Sequence, residues 1–172
     1  MEKVVERWGR DGELTASKSD GDSSDLERQD PSSIHISDRL LSLDTDAFGV
    51  SRKGLLQLLS RSGSGNITSD GYVLSRPGRT ARHLGPCVAN SDAEARQLIA
   101  GHLEDTASAR EEHEGTPSQG WYWDLVPANA AAVRCAESLG FTRRRVLWRM
   151  RRGEMMENND AMVYAIAGFE LG

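Results

Sequence analysis

Apolar positions recur at regular spacing from Ile34 onward, whereas residues 10–33 hold few of them. Leu55, Leu56, Leu58 and Leu59 stand at helical spacing behind Ser51, a residue type that caps helices. Ahead of them, Ser37 or Asp38 opens a short turn toward Leu40, Leu41 and Leu43. Ser62-Gly63-Ser64-Gly65-Asn66 reads as a flexible turn that ends the leucine-rich helix. A further helix starts at Ser91 or Asp92, with Ala93, Ala95, Leu98, Ile99 and Leu103 on one face. Ser91 and Glu94 form a capping-box pair at its start. Another runs from Ala130 to Leu139, with Asn129 as cap and Gly140 as terminator.

Period-two alternation marks the strands. Gly71–Arg76 and Thr80–Ala89 pair across the turn Pro77-Gly78-Arg79, and Pro86 points to an edge strand or a bulge. Trp121–Val126 alternates clearly and stops at Pro127; Val146–Met150 and Met162–Phe169 follow as the fourth and fifth strands. The charged, glycine-containing stretch Thr106–Gln119 reads as a solvent loop. Met1–Trp8 has the makings of a short helix, but residues 1–33 as a whole are too polar to repay the entropy of ordering. The expected organisation is a poorly ordered tail over 1–33 and one domain over 34–172. Strands alternating with helices at these spacings imply a layered α/β domain with a mixed sheet.

Composition narrows the function classes. The net charge is −5, which gives the chain as a whole no electrostatic reason to seek nucleic acid or an anionic membrane. No window reaches the ~18 apolar residues of a membrane span. The first residues lack the apolar core of a signal peptide, so a cytoplasmic location is expected. Cys87 and Cys135 lack metal-ligand spacing and read as reduced, packed thiols.

One stretch carries a family pattern: Leu125-Val126-Pro127-Ala128-Asn129-Ala130-Ala131-Ala132, then Leu139-Gly140-Phe141, then Arg149-Met150. It resembles the late strand–helix–strand unit of the GNAT superfamily of N-acetyltransferases. Leu43–Gly49 with Arg52, Gly85–Ala89 and Tyr164–Phe169 resemble the C-terminal domain of tandem GNAT proteins. The resemblance spans residues 36 to 172. It implies a mixed, mainly antiparallel sheet flanked by helices, with Trp121–Val126 and Val146–Met150 in one sheet. It also implies a V-shaped gap between two central strands that takes acyl-CoA, with the pyrophosphate at a helix N-terminus.

On this resemblance the cofactor-binding residues are Val88, Ala89, Asn90 and Asn129, and the co-substrate is acetyl-CoA or another acyl-CoA. Backbone amides from Val88 to Asn90 would polarise the thioester carbonyl, and Asp124 or a water would act as base. Acceptors would be a small-molecule amine or a peptide. The chain departs from the family at two places. The pyrophosphate loop, usually glycine-rich, here reads Val88-Ala89-Asn90-Ser91-Asp92-Ala93-Glu94, with two carboxylates where phosphate would arrive. Where many relatives carry a Tyr that protonates the leaving thiolate, this chain has Ala136. Two readings follow: acyl transfer to an amine, or a catalytically degenerate GNAT-fold module for binding or dimerisation. The partners implied are a second copy or a first GNAT domain that 33 polar residues cannot contain.

Other clusters have plainer readings. His35, His83, His102 and His113 show no metal-ligand spacing, so no metal is expected. A His83–Cys87 dyad is weighed against a packed thiol beside a surface His. Glu111–Glu114 reads as a solvated acidic loop, and Arg143, Arg144 and Arg145 with Arg149, Arg151 and Arg152 as a charged strand edge. Trp121, Tyr122, Trp123 and Trp148 read as packing residues.

Overall fold

Local chemistry explains where most of the helices begin and end. In the computed structural model, which describes residues 3–11, 34–111, 120–149 and 157–168, helix α1 (Asp38–Phe48) starts at Ser37. The Ser37 side chain accepts from the Leu40 N–H at 3.3 Å, and Gly49 at φ 71° closes the helix. Helix α2 (Lys53–Ser62) begins one residue later than its sequence cap suggests, with Arg52 at the cap position and no side-chain cap bond. Helix α3 (Asp92–Glu111) opens with the expected Ser91 cap, whose Oγ accepts from the Glu94 N–H at 3.2 Å. Helix α4 (Ala130–Ser138) is capped by Asn129, and Gly140 beyond its end has φ 78°.

Among the described residues seven strands form one sheet: β1 (Lys3–Arg10), β2 (Ser64–Ile67), β3 (Gly71–Arg76), β4 (Ala81–Ala89), β5 (Gly120–Leu125), β6 (Thr142–Arg149) and β7 (Val163–Ala165). The order is β2-β3-β4-β5-β1-β6, with β7 attached to β4. Of the described pairings only β4 with β5 is parallel. Leu98, Ile99 and Leu103 of α3 and Ala132 and Ala136 of α4 pack on one face with Trp8, Leu84, Trp123 and Leu125. Leu40 and Phe48 of α1 and Leu56 and Leu59 of α2 pack on the other with Val5, Tyr72, Leu74 and Ile166. This is the expected mixed, mainly antiparallel sheet flanked by helices. Among the described residues no helix is long and apolar enough to cross a membrane.

Several local expectations need correcting. Met1–Trp8 is not helical: residues 3–10 are β1, an interior strand between β5 and β6. The ordered fold therefore draws on residues 3–10, ahead of Ile34 and inside the span expected to be a tail. Residues 12–33 lie outside the described residues. Val5 and Trp8, 1% and 6% exposed, stand three residues apart and so face opposite sides of the sheet, as strand alternation dictates. The Ser64–Asn66 turn is in fact most of β2, where Gly65 fits because a Cβ would sit 2.4 Å from the Val73 carbonyl oxygen. Thr106 to Glu111 continue α3 rather than forming a loop, and Ala93 is exposed rather than on the buried face. Strand β4 is interior rather than an edge, and Pro86 falls at the alternative expected, a register irregularity against β3, where β4 also changes partner from β5 to β7.

Candidate functional site

Strands β4 and β5 run side by side only from Ala81↔Gly120 to Leu84↔Trp123. Beyond that pair they separate, as two central strands of a GNAT sheet are expected to do. Strand β7 occupies the opening. It pairs antiparallel with β4 at Cys87↔Ala165 and Val88↔Val163, and the Ile166 N–H donates to the Asp124 carbonyl at 2.9 Å. The segment thus bridges both walls of the V.

Side chains fasten it there. The Trp123 indole N–H donates to the Tyr164 carbonyl at 2.8 Å. Asn129 Nδ2 lies 3.2, 3.2 and 3.0 Å from the carbonyls of Asp160, Ala161 and Val163, while its Oδ1 accepts from the N–H groups of Ala131 and Ala132. One buried amide therefore caps α4 and holds the segment leading into β7. At the apex, Gly85 at φ 132° lets the Ile166 carbonyl approach: a Cβ would stand 2.1 Å from that oxygen.

The helix N-terminus that would receive a pyrophosphate is also engaged. The Tyr164 hydroxyl donates to Asp92 Oδ1 at 2.5 Å, and Arg134 reaches the other carboxylate oxygen at 3.5 Å. Burial and then Asp92 push the Tyr164 phenol well above its ordinary range, so it stays a donor. The Glu94 carboxylate accepts from the Thr68 hydroxyl. Both carboxylates sit in the first turn of α3, where the helix dipole favours negative charge.

The sequence candidates fall out as follows. Val88 stands between Tyr72 of β3 and Val163 of β7, and Ala89 opposite Gly71. The Asn90 N–H donates to the Asp70 carbonyl at 3.0 Å and its side-chain amide to the Asp70 carboxylate at 3.2 Å. Asp124, 1% exposed, has both oxygens taken by Arg7, from Nε at 2.7 Å and Nη2 at 2.6 Å. The structure brings Val88 and Asn129 together around β7, and leaves Asn90 and Asp124 on separate pairings. No sequence signal short of the fold could have found Arg7, which lies 117 residues from Asp124. Sequence alternation places Tyr164 and Trp123 on strands, and their part in the V depends on where β7 docks.

Ala136, which stands where many relatives carry the tyrosine, is fully buried in the apolar cluster shared by α3 and α4. The residues present do not fit an acyl-CoA. The pantetheine path between β4 and β5 is filled by β7, and the phosphate end meets Asp92 and Glu94.

The remaining candidates are structural. His83 meets Tyr122 edge-on at 5.7 Å between ring centroids, while Cys87 is fully buried with its thiol pushed well up by burial. Cys135 is likewise buried, its thiol raised to about 11, and both cysteines are free. His102 is 2% exposed, with Nε2 2.8 Å from Ser75 Oγ and Nδ1 3.4 Å from Asn66 Oδ1. Burial, helped by Arg82, lowers its pKa to about 4. Trp121 and Trp123 are core residues, whereas Trp148 on β6 is 68% exposed. Arg143 and Arg144, on the same strand, pair with Glu6 and Asp11. His113 and the acidic run from Glu112 to Glu114 lie outside the described residues, as do Arg151 and Arg152. Among the described residues no cluster of His, Cys, Asp or Glu is placed to hold a metal.

Comparison with known proteins agrees with this architecture. The chain's fold is similar to a crystal structure from Pyrococcus horikoshii described as a candidate acetyltransferase, with TM-score 0.72 and 16% identity. The match covers 98% of this chain and 51% of that one, so the chain spans about half the length of that protein. No curated protein matches the sequence. The family model described as "Acetyltransferase (GNAT) domain" matches residues 40–165. That span takes in the split β4–β5 pair, the Asn129 helix and β7, and on it this chain belongs to the GNAT acetyltransferase family.

Proposed function

We infer that this chain is a non-catalytic GNAT-fold module, which keeps the family's sheet and has given its acyl-CoA cleft to its own β7. The observation that supports the reading is the double clasp of residues 160–166 between β4 and β5, by Asn129 from one side and Trp123 from the other. A pantetheine arm needs those same β4 backbone groups, and here they serve β7. The carboxylates of Asp92 and Glu94 act in the same direction, because a carboxylate beside a pyrophosphate costs roughly a kcal/mol or more at a partly buried site. Both oxygens of Asp124 are engaged by Arg7, which leaves neither facing an incoming amine.

The rival reading is transfer of an acetyl group from acetyl-CoA to an amine, favoured by family membership alone. It requires β7 to leave the cleft. Calorimetric titration with acetyl-CoA separates the two. The module gives no heat of binding at millimolar ligand. Micromolar binding that is lost when the pantetheine arm is removed would establish the enzyme instead.

A further inference from the structure

Strand β2 stands at one end of the sheet order and, among the described residues, pairs with β3 alone, from Ser64↔Ser75 to Ile67↔Tyr72. Of its residues only Gly65 is buried. The neighbouring part of α3 is similar. His102 and Leu103 are buried, whereas no residue from Glu104 to Ala109 is. Burial therefore contributes little to holding β2 and this end of α3 together, and a polar cluster joins them instead.

His102 is at its centre. The Asn66 amide donates to Asp105 Oδ2 at 3.0 Å, which leaves Asn66 Oδ1 facing His102 Nδ1 at 3.4 Å. Nδ1 therefore carries the ring hydrogen, and Nε2 accepts from the Ser75 hydroxyl at 2.8 Å. The elements packed around the ring bring further groups. Ser64 of β2 lies 3.2 Å from the Ser75 hydroxyl, and Arg82 of β4 donates from Nη2 to Ser64 Oγ at 3.2 Å and to Ser75 Oγ at 3.4 Å. Trp121 of β5 meets the ring edge-on at 6.2 Å, and α3 itself supplies Asp105. Arg82 and Asp105 are the charged groups that act on the ring.

The neutral ring suits this setting and the charged ring does not. A second hydrogen, on Nε2, would turn the Ser75 hydroxyl away and bury a cation close to the Arg82 guanidinium, with Asp105 offsetting only part of the cost. Burial, and after it Arg82, hold the His102 pKa at about 4, below its ordinary 6.5. For the ring to reach water, its bonds to β2 and β3 must break.

We propose that His102 is an acid-released latch, whose protonation separates β2 from the end of α3 beyond Leu103 while the rest of the sheet stays closed. The open form takes up the proton at the ordinary pKa and the closed form only near pH 4. The ratio of closed to open molecules is therefore highest above pH 6.5 and falls roughly a hundredfold by pH 4. The latch does not depend on whether acyl-CoA binds, because Arg82 and Trp121 lie where β4 and β5 are still paired.

Hydrogen exchange of the intact protein tests it, read amide by amide from pH 6.5 to pH 4 and corrected for the pH dependence of chemical exchange. Amides of 64–67 and 104–111 are expected to lose about a hundredfold in protection, while those of β1 and β7 keep theirs. In His102→Gln, whose amide can replace both ring bonds without titrating, the pH dependence is expected to vanish. A loss of equal size in every strand, a loss that persists in His102→Gln, or protection of β2 that does not change with pH overturns the proposal.

Since the variant can fail to fold, the wild-type ring supplies a second arm. Nitrogen NMR midway between the two pKa values is expected to show His102 neutral, with its hydrogen on Nδ1. A charged ring there, in molecules whose β2 amides remain protected, shows that protonation does not release the strand.

Discussion

Strands β1 and β7 each arrive from a distant part of the chain to fill a gap beside β5, but they are held by different physics. β7 is a three-residue strand in the gap between β4 and β5, fixed by neutral hydrogen bonds from Asn129 and Trp123 to its carbonyls. β1 is an eight-residue strand in the gap between β5 and β6, fixed by ladders on both sides and by buried charge, with Asp124 at 1% exposure and Arg7 at 12%. A short strand with few ladder bonds depends on the side chains that grip it. A long one depends on its charges agreeing, because an unmatched buried ion is the more expensive fault. The first arrangement closes a cleft, and the second completes a sheet.

That contrast can be broken at several points. The largest effect is expected from Arg7→Ala, which leaves Asp124 buried without its partner and should cost about 4 kcal/mol. Chemical denaturation measures the loss, and hydrogen exchange should show β6 losing protection while β7 keeps it. Asn129→Ala removes the α4 cap and the donor to three carbonyls, and about 3 kcal/mol is expected. Here the pattern inverts: amides of 163–166 open and β6 stays protected. If both variants opened the same strand, the two gaps would be one cooperative unit and the comparison would fail.

Gly85→Ala places a Cβ against the Ile166 carbonyl at a backbone angle that L residues avoid, and about 2 kcal/mol is expected, again confined to β7. Should acetyl-CoA bind this variant and not the parent, expulsion of β7 would have reopened the cleft.

Acid provides a control that touches neither gap. His102 has a folded pKa of about 4 against an ordinary 6.5. Its contribution is fully present above pH 6.5 and is lost as pH falls toward 4, because the unfolded chain binds the proton first. The slope is at most about 1.4 kcal/mol per pH unit. His102→Gln should flatten that part of the stability–pH curve while leaving the protection of β1 and β7 alike. The smallest effect belongs to Trp148→Ser, within about 0.5 kcal/mol, since this side chain is exposed on the outer strand.

Much of the fold could be read from the sequence, and the reasons differ by element. Leu98, Ile99 and Leu103 mark α3 by period, and Trp121, Trp123 and Leu125 mark β5 by alternation, because one face of each element meets the core. β1 escaped notice since Glu6 and Arg7 look solvated in isolation; their neutralising partners Arg143 and Asp124 sit at the far end of the chain. β2 has almost no apolar pattern, as Ser64 and Gly65 serve close approach rather than burial. The Asn129 cap was legible. Its second set of bonds was not, because periodicity says where a strand is and not which gap it enters. The loss of the glycine loop and of the tyrosine, by contrast, was visible from residue types alone.

The remote origin of the strands beside β5 bears on how the molecule assembles. β2, β3 and β4 meet through short turns, so that half of the sheet can form early from neighbours in sequence. Joining β1 to β5 closes a loop of more than a hundred residues before any reward is collected. Topology of this kind places folding toward the slow end for a domain this size. The last event to be expected is the seating of β6, which waits on β1 for its one ladder among the described residues.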